Sequence, residues 1–270
     1  MRHTLQLRLT VHCGLPTGHR RHSEQRPTPP SHRHCSRDDP TLQYPQAIVE
    51  TAPPAMASSW VLQAVNLAGQ RGERALFEQL DLALAPGSVT WLRGRNGRGK
   101  TSLLRLLAGL ATPMHGAVHI AGRPLRQAGP EWRRKFIYIG HQNALKDDLS
   151  AGEALRFLLR LQGTRIDDTA LDAALQRLGV RACRDAPVRT LSQGQRRRVA
   201  LARLALSMAQ DLWLLDEPFD ALDTDGVTAL NGLLAEHAAG GGATLLTSHQ
   251  TPSLDAPLPQ IFDLDRHGQA

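Results

Sequence analysis

The chain has 270 residues, 41% of them hydrophobic but only 4% aromatic, which is enough for one large domain with a mainly aliphatic core. A formal net charge of +7 admits a nucleic acid or an anionic membrane surface as a partner. The three cysteines exclude a disulfide framework, and no apolar run reaches the roughly 18 residues of a membrane span, so we expect any role at a membrane to be peripheral.

The first 55 residues differ in composition from the rest of the chain. They hold six of the twelve histidines and eight of the seventeen prolines, without a sustained helix or strand period, and we predict a disordered tail. Seven arginines against four acidic residues give residues 1–55 a net charge of +3. His32–Cys35 has suitable metal ligands but not the spacing of a zinc module, so we expect no metal there. Met56, where the patterned sequence begins, is an alternative start of translation.

Residues 56–270 alternate short apolar runs with helical stretches. Apolar runs of strand length lie at 88–92, 117–121, 136–140, 212–216 and 243–247. Helical patterns occupy 100–108, 153–161 and 195–208. Because strands and helices alternate, we predict an α/β fold with a mostly parallel sheet.

A phosphate-binding loop lies between the first apolar run and the first helix. The sequence GRNGRGKT at 94–101 matches the P-loop pattern G-x-x-x-x-G-K-[ST] in the strand–loop–helix context that the motif requires. Glycines let the backbone approach phosphates, and the helix N-terminus favours anions. We expect Lys100 to reach the β- and γ-phosphates of ATP, and the Thr101 hydroxyl to hold Mg²⁺. The predicted nucleotide-binding residues are Gly94, Arg95, Asn96, Gly97, Arg98, Gly99, Lys100, Thr101 and Ser102.

A carboxylate pair follows the apolar run of the segment DLWLLDEP. Asp216 stands at the carboxyl end of this predicted strand, a position suited to a Mg²⁺ ligand that acts directly or through water. Glu217 is next to it and is a candidate to orient or deprotonate an attacking water. An apolar run that ends in Asp-Glu is a weak signal alone, but 115 residues after a P-loop it indicates a phosphate-hydrolysing site.

The segment LSQGQ, residues 191–195, precedes another strong helical pattern. An uncovered helix N-terminus that carries Ser and Gly is a second candidate anion site. Because the chain already has one phosphate loop, we interpret this second site as serving the ATP of another copy of the chain. An ordinary capped helix is the alternative.

These motifs together resemble the ATP-binding cassette (ABC) ATPases over roughly residues 60–265. The signature motif of that family usually reads LSGGQ, so Gln193 replaces a glycine here. The resemblance implies a P-loop NTPase core with a mostly parallel sheet, an antiparallel β subdomain and a helical subdomain that carries the signature. It also implies a head-to-tail homodimer in which the signature of one copy contacts the nucleotide of the other. The signature residues are Leu191, Ser192, Gln193, Gly194 and Gln195.

Further family motifs follow in the expected order. Gln142 matches the Q-loop glutamine, which links Mg²⁺ to a transmembrane partner, and His249 matches the switch histidine, which contacts the γ-phosphate. The segment DALD at 220–223 matches the D-loop, with Asp220 in place of the usual serine. The resemblance therefore implies a catalytic set and a Mg²⁺ set, which are Glu217, His249 and Gln142, and Thr101, Gln142 and Asp216, respectively.

Arg71 and the run Arg196–Arg198 need separate interpretation. Arg71 stands where family members usually place an aromatic that stacks on adenine, so we expect loose selectivity for the base, although a guanidinium can also stack. Phe77 lies nearby in the apolar context ALFEQL, which predicts a core position. The run Arg196–Arg198 predicts a solvated helix face rather than a nucleic-acid site.

Around the motifs the chain reads FIYIGHQNALKDDL and LWLLDEPFDALD. These segments resemble one branch of the family, the CcmA heme-exporter ATPases of bacterial cytochrome c maturation. The resemblance implies membrane partners like CcmB and CcmC, with CcmD, at the cytoplasmic face of the inner membrane. Hydrolysis would then drive heme export or the release of the heme-loaded chaperone CcmE. A cassette for another exporter is one alternative, and a non-transport protein acting on nucleic acid is favoured only by the net charge, so we expect no nucleic acid.

The segment after the Q-loop glutamine is charged. Lys146, Asp147 and Asp148 follow an apolar strand end, and we expect them to face solvent when the cassette is alone. A segment that is tied to Mg²⁺ at one end and exposed at the other can transmit a small shift to a docked helix. We therefore expect this segment to meet the membrane partner.

Overall fold

The structure is a computed structural model that describes residues 60–129 and 131–266. The predictions for the tail, for His32–Cys35 and for Met56 lie outside the described residues. Within the two described ranges, no helix is both long and apolar enough to cross a bilayer.

Nine strands and five α-helices make up the described fold. The strands are β1 (Leu62–Arg71), β2 (Arg74–Leu84), β3 (Val89–Arg93), β4 (His115–Ile120), β5 (Arg123–Pro124), β6 (Phe136–Ile139), β7 (Leu212–Leu215), β8 (Ala243–Thr247) and β9 (Gln260–Asp263). The helices are α1 (Lys100–Leu107), α2 (Ala151–Leu161), α3 (Asp168–Arg177), α4 (Gln193–Ala205) and α5 (Thr224–Ala239).

The strands form two sheets with different pairing. One sheet has the order β2-β1-β4-β5 and is antiparallel throughout. The other has the order β6-β7-β8-β3-β9 and is parallel throughout. The predicted combination of a parallel sheet, an antiparallel sheet and helices is confirmed. Because the carboxyl ends of parallel strands share one edge of a sheet, β3, β6, β7 and β8 deliver their following residues to the same edge.

Alternating side chains on β7 divide the apolar interior into two clusters. Leu212 and Leu214 join the cluster that holds β1, β2 and α1, whereas Trp213 and Leu215 join the cluster that holds α2 to α5. This division follows from the period of two in a strand, which turns successive side chains to opposite faces. All four side chains are fully buried, and each contributes about 1.5–3 kcal/mol to folding. Burial on both faces holds the end of β7, and with it the carboxylate pair, in a fixed place.

The predicted elements match the structure except at their ends and in the antiparallel sheet. Every predicted strand is present within about two residues of its expected bounds. Helix α4 begins at Gln193 because Ser192 caps it, and it ends at Ala205, three residues before the predicted end. The long β1–β2 hairpin was not predicted from the sequence pattern, because its register shifts break a simple alternation of buried and exposed residues.

Candidate active site

The P-loop connects β3 to α1 through glycines with left-handed backbone angles. The φ angles are 80° at Gly97 and 106° at Gly99, which side chains other than that of glycine rarely adopt. At Gly99, an added Cβ would also lie 3.1 Å from the side chain of Leu76, so the loop rests directly on the antiparallel sheet. The Nζ atom of Lys100 donates a hydrogen bond to the carbonyl oxygen of Gly94 at 2.7 Å, which holds the ammonium over the loop.

Asp216 lies beside the P-loop and is 2% exposed. Its Oδ1 atom accepts hydrogen bonds from the hydroxyls of Thr101, at 3.1 Å, and Thr247, at 3.0 Å. Its Oδ2 atom is buried and accepts no hydrogen bond from the described residues. A buried carboxylate oxygen without a donor, next to a threonine hydroxyl, has the donor chemistry of a hard divalent cation site.

Glu217 projects from the end of β7 toward the residues after β8. Its backbone has a φ of 48°, and its N–H donates to the Thr247 hydroxyl at 2.8 Å. Its Oε2 atom accepts a hydrogen bond from the backbone N–H of His249 at 3.1 Å, and its Oε1 atom lies 3.7 Å from Nε2 of the same residue. Burial is the largest influence on this carboxyl and raises its pKa, although the nearby His249 opposes that effect. A carboxylate with a raised pKa is a stronger base for a proton of water.

Arg197 corrects the prediction of a solvated face for Arg196–Arg198. It is 3% exposed, and its guanidinium donates to the carbonyl oxygens of Asp216 at 3.0 Å, Glu217 at 2.6 Å and Pro218 at 3.4 Å. It also donates to the carbonyl oxygen of Gly140 at 3.1 Å and to Oδ1 of Asn143 at 3.0 Å. The charge is buried because two loops supply it with five acceptors. Arg197 thereby joins the end of β7 to the segment after β6.

The other two arginines of the run are also engaged. Arg196 donates to the carbonyl oxygens of Leu191, at 3.1 Å, and Arg189, at 2.7 Å. Arg198 forms an ion pair with Asp223, which caps α5. The run is therefore a set of structural contacts around α4, not a solvated face.

A cavity of about 200 Å³ lies above the P-loop. It brings together most of the predicted P-loop residues, the candidate base and the predicted base-stacking position. Phe77 does not line it and is fully buried, which confirms the prediction that it is a core residue. The lining residues are Arg71, Leu76, Arg95, Asn96, Gly97, Gly99, Lys100, Thr101, Ser102 and Glu217.

Asp265 and Thr247 support the site and were not singled out in the sequence. Asp265 follows β9 and accepts hydrogen bonds from the backbone N–H of Arg95, at 2.9 Å, and from its Nε atom, at 3.4 Å. The first of these bonds is the main cause of the lowered pKa of Asp265. The sequence signal that could have identified them is their position: both residues lie at or just beyond the carboxyl end of a parallel strand, as Asp216 does.

The predicted Q-loop and signature residues lie apart from the P-loop cavity. Gln142 is exposed and borders a second cleft, where it shares the lining with Thr101 and Asp216. Ser192 and Gln195 form a capping box at the start of α4, with bonds of 3.2 Å and 2.9 Å. The side chain of Leu191 is buried in the core, and the nucleotide contact expected of that residue stays a prediction that only its backbone could fulfil.

The signature segment is accessible from outside the molecule. The side chains of Ser192, Gln193 and Gln195 are exposed, Gly194 is half-buried, and none of the four lines the P-loop cavity of the same chain. An added Cβ at Gly194 would lie 2.9 Å from the carbonyl oxygen of Ala221. A side chain there would clash with that carbonyl oxygen, so the close approach of the segment 191–195 to the segment 220–223 requires a glycine.

Comparison with known proteins identifies relatives over most of the chain. The family described as ABC transporter matches residues 77–220. The cytochrome c biogenesis ATP-binding export protein CcmA of Aromatoleum aromaticum is 45% identical over 207 residues, which are 77% of this chain and 96% of that protein. The CcmA of Pseudomonas aeruginosa is 44% identical over 194 residues, which are 72% of this chain and 95% of the relative.

Solved structures agree with this assignment. The structure of an ATP-binding subunit of an ABC transporter superposes with a TM-score of 0.63 and 25% identity, covering 71% of this chain and 80% of that one. A putative ABC transporter ATP-binding protein from Pyrococcus furiosus gives a TM-score of 0.64 over 77% of this chain and 99% of its own, and at 22% identity it supports the fold alone. The chain therefore belongs to the ABC transporter family of ATP-hydrolysing proteins, among its CcmA members.

Proposed function

We propose that this chain is the ATP-hydrolysing subunit of a membrane export complex for cytochrome c biogenesis. The observation that carries the proposal is one row of hydrogen bonds beside the P-loop, from Thr101 through Asp216, Thr247 and Glu217 to His249. The row places a candidate metal ligand, a candidate base and a candidate phosphate contact next to one another. The biological process in the proposal is taken from the CcmA relatives, whose names include cytochrome c biogenesis and export.

In this proposal the phosphates of ATP lie over the P-loop. The backbone N–H groups of the loop and the N-terminus of α1 attract the anion, and Lys100 exchanges its bond to the Gly94 carbonyl for a phosphate oxygen. Arg71 borders the same cavity and flanks the base through its planar guanidinium. The predicted contacts Arg95, Asn96 and Ser102 line the cavity wall.

The residues that would hold Mg²⁺ are Thr101, Asp216 and Gln142. The orphaned Oδ2 atom of Asp216 and the Thr101 hydroxyl have the oxygen chemistry that Mg²⁺ prefers, and the amide of Gln142 stands at the edge of the same cleft. When bound, the ion neutralises charge that develops on the phosphate oxygens.

Hydrolysis in this proposal uses Glu217 as the base. Its carboxylate accepts a proton from water as the water oxygen attacks the γ-phosphorus, and the bond from that phosphorus to the bridging oxygen breaks, which leaves ADP and phosphate. His249 donates its backbone N–H to Glu217, and its Nε2 atom lies 3.7 Å from the same carboxylate, so we assign its side chain to contact with the γ-phosphate. Arg197 and Thr247 hold the left-handed backbone of Glu217 from either side.

The proposal includes a homodimer that shares its nucleotides. The support is the exposed N-terminus of α4, which has no role in the P-loop cavity of its own chain. A second copy placed head to tail would bring Ser192 and Gly194 to the γ-phosphate over the first P-loop.

The proposal also includes membrane partners that resemble CcmB and CcmC, with CcmD, and through them CcmE, at the cytoplasmic face of the inner membrane. The support is the exposed segment after Gln142. Asp148 is 97% exposed and Asp147 is 65% exposed in their side chains, and Lys146 is also exposed, as expected from the sequence. This segment begins next to the candidate Mg²⁺ ligand and ends at a surface that a partner can reach.

The substitution Glu217→Gln tests the hydrolytic role. We expect ATP binding to persist and turnover to fall on the order of 10²-fold, because the amide cannot accept the proton. The variant should also accumulate as a dimer when ATP is added. Steady-state hydrolysis, nucleotide binding and size measured by light scattering check these results, and the exposed Glu78→Gln is the matched control. Near-normal turnover in Glu217→Gln would remove this residue from the role of base.

The pH profile gives an independent view of the same group. Burial raises the pKa of Glu217, so its proton-accepting form is lost as pH falls through a value above the ordinary glutamate pKa of about 4.3. Hydrolysis should therefore decline on the acid side, with a midpoint above that value. The residual turnover of Glu217→Gln should show no such decline.

In cells that lack their own CcmA, the wild-type chain should restore cytochrome c and Glu217→Gln should not.

A further inference from the structure

A cleft of about 730 Å³ lies at the end of α2. Its lining shares no residue with the P-loop cavity or with the second cleft. Half of its lining residues are arginines, and we call it the arginine cleft. The lining residues are Arg156, Arg160, Gly163, Thr164, Arg165 and Ile166.

A fourth guanidinium reaches the arginine cleft from the residues before β6. A Cβ added at Gly163 would lie 3.1 Å from the Nε atom of Arg134 and 3.5 Å from its Nη2 atom. Gly163 has a φ of 79°, which favours glycine, and the missing side chain leaves room for the guanidinium. Because Arg134 precedes the amino end of β6, this end of the cleft lies toward the sheet edge opposite to the nucleotide site.

The acidic side chains next to the arginine cleft are already engaged. Asp168 pairs with Arg156, and its Oδ1 atom also lies 3.0 Å from the Nη2 atom of Arg184. Asp167 caps α3 by accepting a hydrogen bond from the N–H of Ala170 at 2.7 Å. Neither carboxylate lines the cleft, so neither neutralises the arginines that do.

Three arginines at the cleft have no partner of this kind. Their side chains are exposed and form no ion pair or hydrogen bond with any residue in 60–129 or 131–266. They are Arg134, Arg160 and Arg165. A concave surface that gathers three uncompensated positive charges concentrates a positive potential, which attracts anions.

Exposed apolar side chains stand beside these arginines on the same face of α2. Phe157 is 39% exposed and Leu161 is 71% exposed, and Arg160 shares their face at helical spacing. A helix face that combines aromatic and aliphatic side chains with arginine is typical of a surface that lies in the headgroup layer of an anionic membrane.

A soluble phosphate fits this surface less well than a lipid headgroup does. Phosphate sites in loops are built from free backbone N–H groups. Here the N–H groups of Gln162, Gly163 and Thr164 already donate to carbonyl oxygens of α2, at 2.9 to 3.0 Å. A soluble phosphate would also leave Phe157 and Leu161 in water, whereas a membrane surface would cover both.

We propose that the arginine cleft binds the phosphate groups of anionic lipids and that Phe157 and Leu161 rest in the headgroup layer beside it. The inference rests on the proposed function, which brings the chain to a membrane. It gives part of the net charge of +7 a ligand, and it fixes the orientation of the cassette relative to the bilayer. Each arginine held near an anionic surface strengthens binding about fivefold.

The first experiment measures flotation of the full chain with vesicles of phosphatidylcholine alone and with vesicles that also contain phosphatidylglycerol. The cleft pair, Arg160→Gln with Arg165→Gln, is compared with a control pair of equal charge change, Arg123→Gln with Arg126→Gln, at exposed positions. We expect the cleft pair to lower affinity for the anionic vesicles at least about tenfold and the control pair less than about threefold. Both pairs keep the basic residues 1–55, so that segment contributes equally.

Three results would overturn the inference. They are equal binding of wild type to the two kinds of vesicle, equal losses in the cleft pair and the control pair, and wild-type affinity in the cleft pair. The cleft pair should hydrolyse ATP at the wild-type rate, because none of its residues lines the P-loop cavity. A wild-type chain that binds anionic vesicles but hydrolyses no ATP would contradict the proposed function and not the lipid site.

Further variants separate a lipid surface from other ligands. Leu161→Gln leaves every charge in place and should still lower vesicle affinity about threefold. The pair Arg160→Lys with Arg165→Lys should stay within about threefold of wild type, because attraction to a charged surface needs the charge more than the guanidinium fork. A loss in the lysine pair as large as in the cleft pair would contradict the inference.

Two outcomes would assign the arginine cleft to a different ligand. Pyrophosphate that raises the melting temperature of wild type more than that of the cleft pair would identify a soluble phosphate compound and contradict the lipid site. Lower recovery of the membrane complex in detergent for the cleft pair than for the control pair would identify a protein partner and contradict it as well. We expect neither difference.

Discussion

Helix α4 buries two arginines, six residues and about 120° apart around its axis, and their surroundings are opposite. Arg197 points to the ends of β6 and β7 and has five acceptors, whereas Arg203 points to the second cleft and has none among the described residues. Both are at least nine-tenths buried. The difference separates a buried charge that the fold supplies with acceptors from a buried charge that has none among the described residues.

The first arginine shows how the fold holds the candidate base in place. Glu217 carries a left-handed backbone angle, which is unfavourable for a residue with a side chain. Arg197 donates to its carbonyl oxygen, and Thr247 accepts from its N–H. These two contacts aim the carboxylate toward His249. The same guanidinium reaches Gly140 and Asn143, so the segment that borders the second cleft is connected to the candidate base by one side chain.

The largest effect is expected from Arg197→Met, which leaves carbonyl oxygens of Asp216, Glu217 and Gly140 without donors. We predict a loss of about 3 kcal/mol or more in the free energy of unfolding. Urea unfolding measures it, and Arg123→Met should stay within about 0.5 kcal/mol of wild type. A loss as small as that of the control would mean that water replaces the guanidinium, and that the two buried arginines do not differ as described.

A third arginine, the exposed Arg71, extends the comparison to the P-loop cavity. Arg71 occupies the position where an aromatic ring would stack on adenine. The affinities for GTP and CTP should therefore lie within about tenfold of that for ATP, a difference of roughly 1.4 kcal/mol. Arg71→Tyr should increase the preference for ATP. Competition binding with labelled ATP checks both results. A thousandfold preference for ATP in the wild-type chain would show that a different residue holds the base.

The smallest effect is expected at the exposed charges next to the second cleft. Reversing Lys146 and Asp148 should weaken recovery of the membrane complex about threefold, mainly through slower association, because exposed charges steer binding more than they hold it. The basal ATPase rate of the isolated chain should not change. Binding measured at low and at high salt tests this, since the loss should shrink as salt screens the charges. A loss of about tenfold or more that does not shrink at high salt would show that these charges hold the partner in place, and would contradict a steering role.

Much of the active site could be predicted from the sequence because its residues follow strand ends. Each part of the site follows a short apolar run that ends at polar residues. This holds for the P-loop, for the pair Asp216 and Glu217, and for His249. The structure confirms that the P-loop, both carboxylates and the backbone of His249 meet at one edge of the parallel sheet. The local sequence pattern was sufficient to predict this site, because a parallel sheet brings the carboxyl ends of its strands to one edge.

The buried arginines could not be predicted for a physical reason. A run of like charges at the start of a helix normally faces water, and that expectation fails for Arg197 only because two loops distant in sequence bring their carbonyl oxygens to it. Arg203 lies within the apolar stretch of α4, where nothing in the local sequence indicates which side of the helix a cleft will occupy. Burial of a charge depends on tertiary neighbours, which a single-sequence pattern does not contain.

The most direct test measures Arg197→Met and Arg203→Met side by side, as urea unfolding of the full chain without any partner. We predict opposite results: Arg197→Met lowers the free energy of unfolding by about 3 kcal/mol or more, and Arg203→Met leaves it unchanged or raises it. Equal losses in the two variants would contradict the distinction, because Arg203 would then be stabilised by contacts within the chain, as Arg197 is.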